Sequence, residues 1–229
     1  MAKYGLIFDV DGVIADTEAA NAAASIKVFE DLFGIVGVKR ADFEAGLGRG
    51  AFEYVKAAAD VHGLSLTDQQ IEKATAMRQD YFLEVLKTHP LGAFEGVQEL
   101  IEAAMADVEM GVAIATSGTR EKSQAVLISA SVPYEKMVYV NGDDVKRRKP
   151  DPQLFLIAAE RMGISPCRCV VIEDAPNGVE AAKAAGAKCI AVTNSTTAEK
   201  LSQANMICES LKEINIGIIK SLAGPAKTN

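Results

Sequence analysis

Apolar and polar positions follow two rhythms along this chain, and the change between them divides it. Tyr4-Gly5-Leu6-Ile7-Phe8 is a short, β-favouring apolar run closed by Asp9-Val10-Asp11-Gly12, which predicts a buried strand ending in a turn. From about residue 17 to about residue 88 the spacing is helical, with no convincing strand. Thr17 to Phe33 carries Ile26, Phe29 and Phe33 on one stripe and stops at Gly34. Asp42 to Leu47 is a further helical piece broken by the glycines from Gly46 to Gly50, and Ala51 to His62 is a helix that ends at Gly63. Thr67-Asp68-Gln69-Gln70 has the capping-box pattern and opens a long helix through Ile71, Met77, Phe82, Leu83 and Leu86, stopped by His89-Pro90.

The remainder alternates. Helices are predicted over Val97 to Ala106, Arg120 to Ala130, Pro152 to Met162 and Val179 to Ala185. Strands are predicted over Met110 to Thr116, Met137 to Val140, Cys169 to Ile172 and Lys188 to Thr193. Continuously apolar strands separated by helices imply a doubly wound parallel sheet. The first strand belongs to that sheet, since alone it has nothing to pair with. The expected fold is therefore α/β: a Rossmann-like core of residues 1–16 and 89–229 with an inserted helical domain of residues 17–88. An insertion directly after the first strand is expected above the carboxyl ends of the strands, where ligands bind in such sheets. Gly224 onward reads as a loose tail.

Composition narrows the function without naming it. The chain has 229 residues and 49% apolar composition, enough for a sizeable core. A formal charge of −7 and the lack of a Lys/Arg stripe argue against nucleic acid. No apolar run approaches bilayer length and the start lacks a signal-peptide pattern, so no membrane partner and a cytoplasmic location are expected. Cys167, Cys169, Cys189 and Cys208 are too few for a disulfide scaffold, and the one-residue gap of Cys167-Arg168-Cys169 is not a usual zinc spacing, so they are expected as reduced core or strand-edge thiols. His62 and His89 lie in the helical part, away from any nucleophile-elbow pattern.

Candidate chemistry collects at predicted strand ends. Side chains two apart on a strand share a face, so Asp9 and Asp11 should project together; two such carboxylates repel unless a cation lies between them or one holds a proton. Either arrangement suits a nucleophile beside a general acid, although Asp-x-Asp-Gly alone also reads as a turn or half a calcium loop. Thr116-Ser117-Gly118-Thr119 ends a strand and leads into a helix whose free amides suit an anion; alone, it reads more readily as an N-cap cluster. Lys149 stands between basic residues and two prolines that fix the backbone, where a basic run is otherwise a solvated face. Glu173-Asp174 closes an apolar run, and adjacent acids there favour a metal over the alternative of Asp174 as a helix cap. A carboxylate, hydroxyls at a helix start, a lysine and an acidic pair, each ending a strand of one sheet, rarely coincide by chance.

With these segments together, the chain resembles the haloacid dehalogenase superfamily, in the subgroup with a helical cap that includes β-phosphoglucomutase and sugar-phosphate phosphatases. The matching segments are Asp9 to Glu18, Ile114-Ala115-Thr116-Ser117, Lys149-Pro150-Asp151-Pro152, and Ile172-Glu173-Asp174 with Asn177 to Ala182. The resemblance implies that Asp9 attacks phosphorus and becomes an aspartyl phosphate, while Asp11 protonates the leaving alcohol and later activates water. It implies Mg²⁺ held by Asp9, the Asp11 carbonyl and Asp174 with Glu173 nearby, and phosphate oxygens held by Thr116, the amide that follows and Lys149, with Ser117 beside them. Arg49 matches a cap position that grips a substrate phosphate.

Within the family, Asp11 speaks against dehalogenases and phosphonate-cleaving enzymes, whose relatives lack a second aspartate there. Asn21 stands where β-phosphoglucomutase has a cap-side histidine, and a neutral amide cannot switch charge near neutral pH. The expectation is a Mg²⁺-dependent phosphatase acting on a small sugar phosphate, as a monomer or weak homodimer, with a phosphomutase as the alternative. A receiver-type signalling module also holds an aspartyl phosphate around Mg²⁺, but is roughly half this length and has no helical insertion after its first strand.

Overall fold

The computed structural model describes residues 2–46 and 51–224. Its strands are Tyr4–Phe8 (β1), Met110–Ala115 (β2), Val138–Val140 (β3), Cys169–Glu173 (β4), Lys188–Val192 (β5) and Met206–Cys208 (β6). Its α-helices are Thr17–Phe33 (α1), Ala51–Val61 (α2), Asp68–Thr88 (α3), Val97–Ala106 (α4), Arg120–Ser129 (α5), Gln153–Met162 (α6), Pro176–Ala184 (α7) and Ile216–Ala223 (α8). The chain divides into two compact units, residues 1–16 with 92–229 and residues 17–91. The helical unit thus runs past residue 88, because His89 caps α3 through its backbone N–H to the Val85 carbonyl.

In the first unit a six-stranded, all-parallel sheet has the order β3-β2-β1-β4-β5-β6. One face, carrying Ile7, Ala113, Ala115, Val171 and Ala191, packs on α6 and α7 through Leu154, Phe155, Ala158, Val179 and Ala182. On the other face α4 lies against β2, and α8 lies against β1 and β4. Both faces are covered, which is why the strands read as continuous apolar runs. Close approach is built into β1 itself: a Cβ at Gly5 would stand 2.6 Å from Cys169 Sγ. The strand order reverses direction between β1 and β4, so the crevice beyond their carboxyl ends is the topological switch point of the sheet.

The helical unit closes its own core. Alanine-rich α1 packs along α3, and Val28, Phe29, Phe43, Tyr54, Val55 and Ile71 fill the interior, with Phe43 stacked on Tyr54 at 4.7 Å. The capping box opens α3 as expected: Thr67 Oγ1 accepts from Gln70 N–H at 3.3 Å, and Gln70 Oε1 accepts from Thr67 N–H at 2.9 Å. The piece expected from Asp42 is a 3-10 segment over Arg40–Gly46.

Two elements of the sheet unit escape the sequence pattern. β6 is too short for a recognisable period, and α8 is apolar on most sides, so only its cap marks it: Asn215 Oδ1 accepts from Ile218 N–H at 3.0 Å. α7 begins at Pro176 rather than Val179, since a proline in the first helical turn gives up an N–H that has no helical partner anyway. The cysteines are unpaired, with Cys169, Cys189 and Cys208 buried and Cys167 exposed. Among the described residues no helix is long and apolar enough to cross a membrane.

Candidate active site

Parallel register sets the site. Phe8 pairs with Ile114 of β2 and with Ile172 of β4, so the residues that follow these strands emerge side by side. Asp9 N–H still bonds the Ile172 carbonyl at 3.1 Å, and Thr116 N–H bonds that of Val140 at 3.1 Å. Lys149 arrives from the loop before α6. That loop is held by Gln153, whose Oε1 accepts from the N–H groups of Lys146 and Arg147 at 2.8 and 3.0 Å. Of its basic run only Lys149 turns inward, its side chain 7% exposed.

There the Lys149 ammonium donates to Asp9 Oδ1 and to Glu173 Oε1, both at 2.6 Å. The other Glu173 oxygen accepts from the N–H groups of Asp174 and Ala175 at 2.9 and 3.1 Å. Glu173 is therefore committed to holding Lys149 and the turn after β4. Asp174 caps nothing, because the residue at the N-cap of α7 is Ala175 and no side chain fills that role. Carboxylate oxygens of Asp9, Glu173 and Asp174, all buried, lie within 4.8 Å of one another.

Three carboxylates facing one ammonium leave uncompensated negative charge in a dry place. Burial first pushes Asp9 upward, Lys149 opposes it, Glu173 and Asp11 add to it, and the outcome is about 7. Burial and then Glu173 and Asp9 hold Asp174 well above the ordinary carboxylate range. Burial works against a charged Lys149, but Asp9 and Glu173 outweigh it and the lysine is raised. Close, buried, oxygen-only donors with excess negative charge fit a hard divalent cation, so the residues present suit Mg²⁺.

Asp11 reaches this neighbourhood by a different route from the one expected. β1 stops at Phe8, so strand alternation does not govern residue 11; a turn does, with Gly12 at φ +76° and Gly12 N–H bonded to the Ala15 carbonyl at 3.1 Å. The Asp11 side chain is 38% exposed and pairs with Lys122 of α5 at 3.1 Å. Thr116 is buried and its Oγ1 accepts from Gly118 N–H at 3.1 Å, which leaves the hydroxyl proton free for another acceptor. The cap role foreseen for this cluster falls to Thr119, which accepts from Lys122 N–H at 3.4 Å. Ser117 is half-buried beside Thr116. Asn21 lies in α1 of the helical unit, half-buried, its carbonyl accepting from the Ser25 hydroxyl at 2.8 Å. Arg49 lies outside the described residues.

Sequence reasoning passed over two glycines on which the geometry depends. A Cβ at Gly178 would stand 1.8 Å from Glu173 Oε1, so the first turn of α7 is pressed against the carboxylate that holds Lys149. A Cβ at Gly12 would stand 1.8 Å from Asp174 Oδ2. Both lie inside the motif segments, where the only signal was a glycine within a few residues of acids. Lys122 gave less still, since on α5 it reads as an ordinary surface position.

Comparison with known proteins places this geometry. A family model for haloacid dehalogenase-like hydrolases matches residues 5–186. The Bacillus subtilis protein YhcW is 31% identical over 194 residues, covering 84% of each chain. Fructose-1-phosphate phosphatase YqaB of Escherichia coli is 30% identical over 187 residues, 80% of this chain and 92% of that one. Among solved structures, CbbY from Rhodobacter sphaeroides in complex with phosphate superposes with a TM-score of 0.82 at 23% identity, over 96% of this chain and all of the other, a likeness of fold.

Proposed function

The chain belongs to the haloacid dehalogenase-like hydrolases, and from that premise we propose that it is a Mg²⁺-dependent phosphatase that hydrolyses a small phosphorylated metabolite, a sugar phosphate, through an aspartyl-phosphate intermediate. The observation that carries this reading is the buried Asp9 carboxylate, bonded to Lys149 at 2.6 Å and grouped with Glu173 and Asp174 at the switch point of the sheet.

In this mechanism Asp9 attacks phosphorus in line with the ester oxygen; the Asp9 O–P bond forms as the P–O bond to the alcohol breaks. Asp11 gives its proton to the departing alkoxide, then takes one from the water that attacks the aspartyl phosphate and frees Asp9 with inorganic phosphate. Lys149, the Thr116 hydroxyl and Ser117 hold the equatorial oxygens, whose charge spreads in the transition state. Asp9, Asp174 and the carbonyl of Asp11 would hold Mg²⁺, with Glu173 behind them. When bound, the ion offsets the negative charge of phosphate and carboxylates so that an anionic nucleophile can approach. Arg49 and Asn21 belong to the helical unit and are assigned to the non-reacting part of the substrate.

A sugar phosphate is the favoured class because a relative 30% identical over 187 residues is a fructose-1-phosphate phosphatase. Asn21 favours hydrolysis over phosphoryl transfer between sugar positions, since an amide lacks the charge switch of histidine. The test is phosphate release from a panel of sugar phosphates with Mg²⁺, beside conversion of β-glucose 1-phosphate to glucose 6-phosphate. Sustained Mg²⁺-dependent release supports the phosphatase. Isomerisation far outpacing release would make the protein a mutase, and one phosphate taken up and kept would make it a signalling module.

A further inference from the structure

The loop after β5 enters the site from a part of the chain that none of the four motif segments includes. Asn194 Nδ2 donates to the Gly12 carbonyl at 2.8 Å, across 182 residues of sequence. The Ser195 hydroxyl lies beside the Asp174 side chain and favours its charged form. Both contacts converge on one point: a Cβ at Gly12 would stand 1.8 Å from Asp174 Oδ2 and 2.5 Å from Ser195 Oγ. Asn194 and Ser195 are exposed, whereas Asp174 is buried, so the loop closes over the carboxylate from the solvent side.

Asp174 needs such a hold. Glu173 beside it has three donors, from Lys149 and two backbone N–H groups. The Asp174 carboxylate instead faces the negative charge of Glu173 and Asp9, which favours turning it outward. A hydroxyl donor on one lone pair opposes that rotation and leaves the remaining lone pairs free for an ion. Mg²⁺ demands near-octahedral placement of its ligands, so a carboxylate free to rotate binds it less well.

We propose that Asn194 and Ser195 are positioning residues of the divalent-cation site: Ser195 sets the orientation of the Asp174 carboxylate, and Asn194 pins the turn that carries Asp11 and Gly12. The inference rests on the reading that Asp9 and Asp174 hold Mg²⁺. Neither residue touches the reacting phosphorus in this scheme, and their effect passes through the ligands they hold.

The experiment is calorimetric titration of the full chain with Mg²⁺, repeated with Mn²⁺ followed by electron paramagnetic resonance, without substrate. Ser195→Ala is expected to weaken binding of both ions by about 10-fold to 100-fold, as for other outer-sphere partners of metal ligands. Ser195→Thr, which keeps the hydroxyl, is expected to restore affinity to within about threefold of the parent, and Asn194→Ala to weaken it by a factor between these two. Thermal unfolding without metal should be the same for parent and Ser195→Ala, since the side chain is exposed. Equal metal affinity of parent and Ser195→Ala, or a threonine variant as weak as the alanine one, overturns the inference and leaves the metal reading standing. A parent that binds neither ion at millimolar concentration overturns the metal reading and this inference with it.

Discussion

Charge is buried in one unit of this protein and kept near the surface in the other. At the strand ends of the sheet unit, Asp9, Glu173 and Asp174 are all at most 6% exposed, and the Lys149 side chain is almost as buried. In the helical unit the buried polar residues among those described are Thr17 and Ser25, neither of them charged. Its interior is instead closed by ring packing around Phe29, Phe43 and Tyr54. Removing three carboxylates from water against one ammonium works against stability. On the function proposed above, such a cluster is retained for chemistry, and a unit stabilised by apolar packing is free to vary its polar surface for substrate selection.

The largest effect expected from this contrast is at Asp9. Asp9→Asn should lower turnover of p-nitrophenyl phosphate by at least about 10³-fold, because an amide is no nucleophile toward phosphorus. It should not lower stability in the same way. The carboxyl of Asp9 is raised to about 7 from 3.8, so between those values the native state binds more protons than the unfolded chain. Metal-free protein therefore loses stability as pH climbs from about 4 through about 7, by up to about 4 kcal/mol from this group. Melting temperatures measured with chelator at pH 5 and pH 8 should fall, Mg²⁺ should restore the pH 8 value far more than the pH 5 one, and Asp9→Asn should flatten the slope. A metal-free protein more stable at pH 8 than at pH 5 would contradict the picture of an under-neutralised cluster.

The same contrast explains what could be read from the sequence. Asp9, Thr116, Lys149, Glu173 and Asp174 were legible because each lies at the end of a continuous apolar run or just before two prolines, and a parallel sheet brings such positions together whatever the details of the helices. The helical insertion was legible from its period. Asn194 and Ser195 were not, since a Thr-Asn-Ser stretch after a strand reads like any polar turn and only the register of β4 with β5 carries it to Asp174. The path of Asp11 was misread because the strand ends three residues earlier than an alternation argument requires. β6 and α8 were missed because a three-residue strand and a helix apolar on most sides have no clear period.

A smaller effect is expected where packing holds the charges in place. Gly178→Ala puts a methyl group where Glu173 Oε1 lies, 1.8 Å from the ideal Cβ, inside the first turn of a helix that cannot easily shift. The expected cost is about 1–3 kcal/mol in denaturant unfolding, as for other overpacked sites. Weaker Mg²⁺ binding should accompany it, because Glu173 holds both Lys149 and the Asp174 backbone. Gly34→Ala serves as a control: it has open space for a Cβ but a φ of +69°, so it isolates backbone strain without touching the site. Equal metal affinity in the Gly178 variant would show that Glu173 is dispensable to the cation site.

The smallest effect is expected in the helical unit. Tyr54 donates its hydroxyl to Glu18 Oε1 at 2.5 Å, and burial, reinforced by that bond, holds the phenol protonated well above its ordinary range. Tyr54→Phe keeps the ring stacked on Phe43 and removes only the donor. Because the pair is part-buried and water can replace the lost partner, the expected loss is about 1 kcal/mol in urea unfolding. Turnover of p-nitrophenyl phosphate, which offers nothing for a selecting surface to grip, should stay within about twofold of the parent, while KM for a sugar phosphate is free to move. A drop in p-nitrophenyl phosphate turnover comparable to that of Asp9→Asn would mean that the two units do not divide chemistry from selection, and the contrast drawn from their buried charges would have to be abandoned.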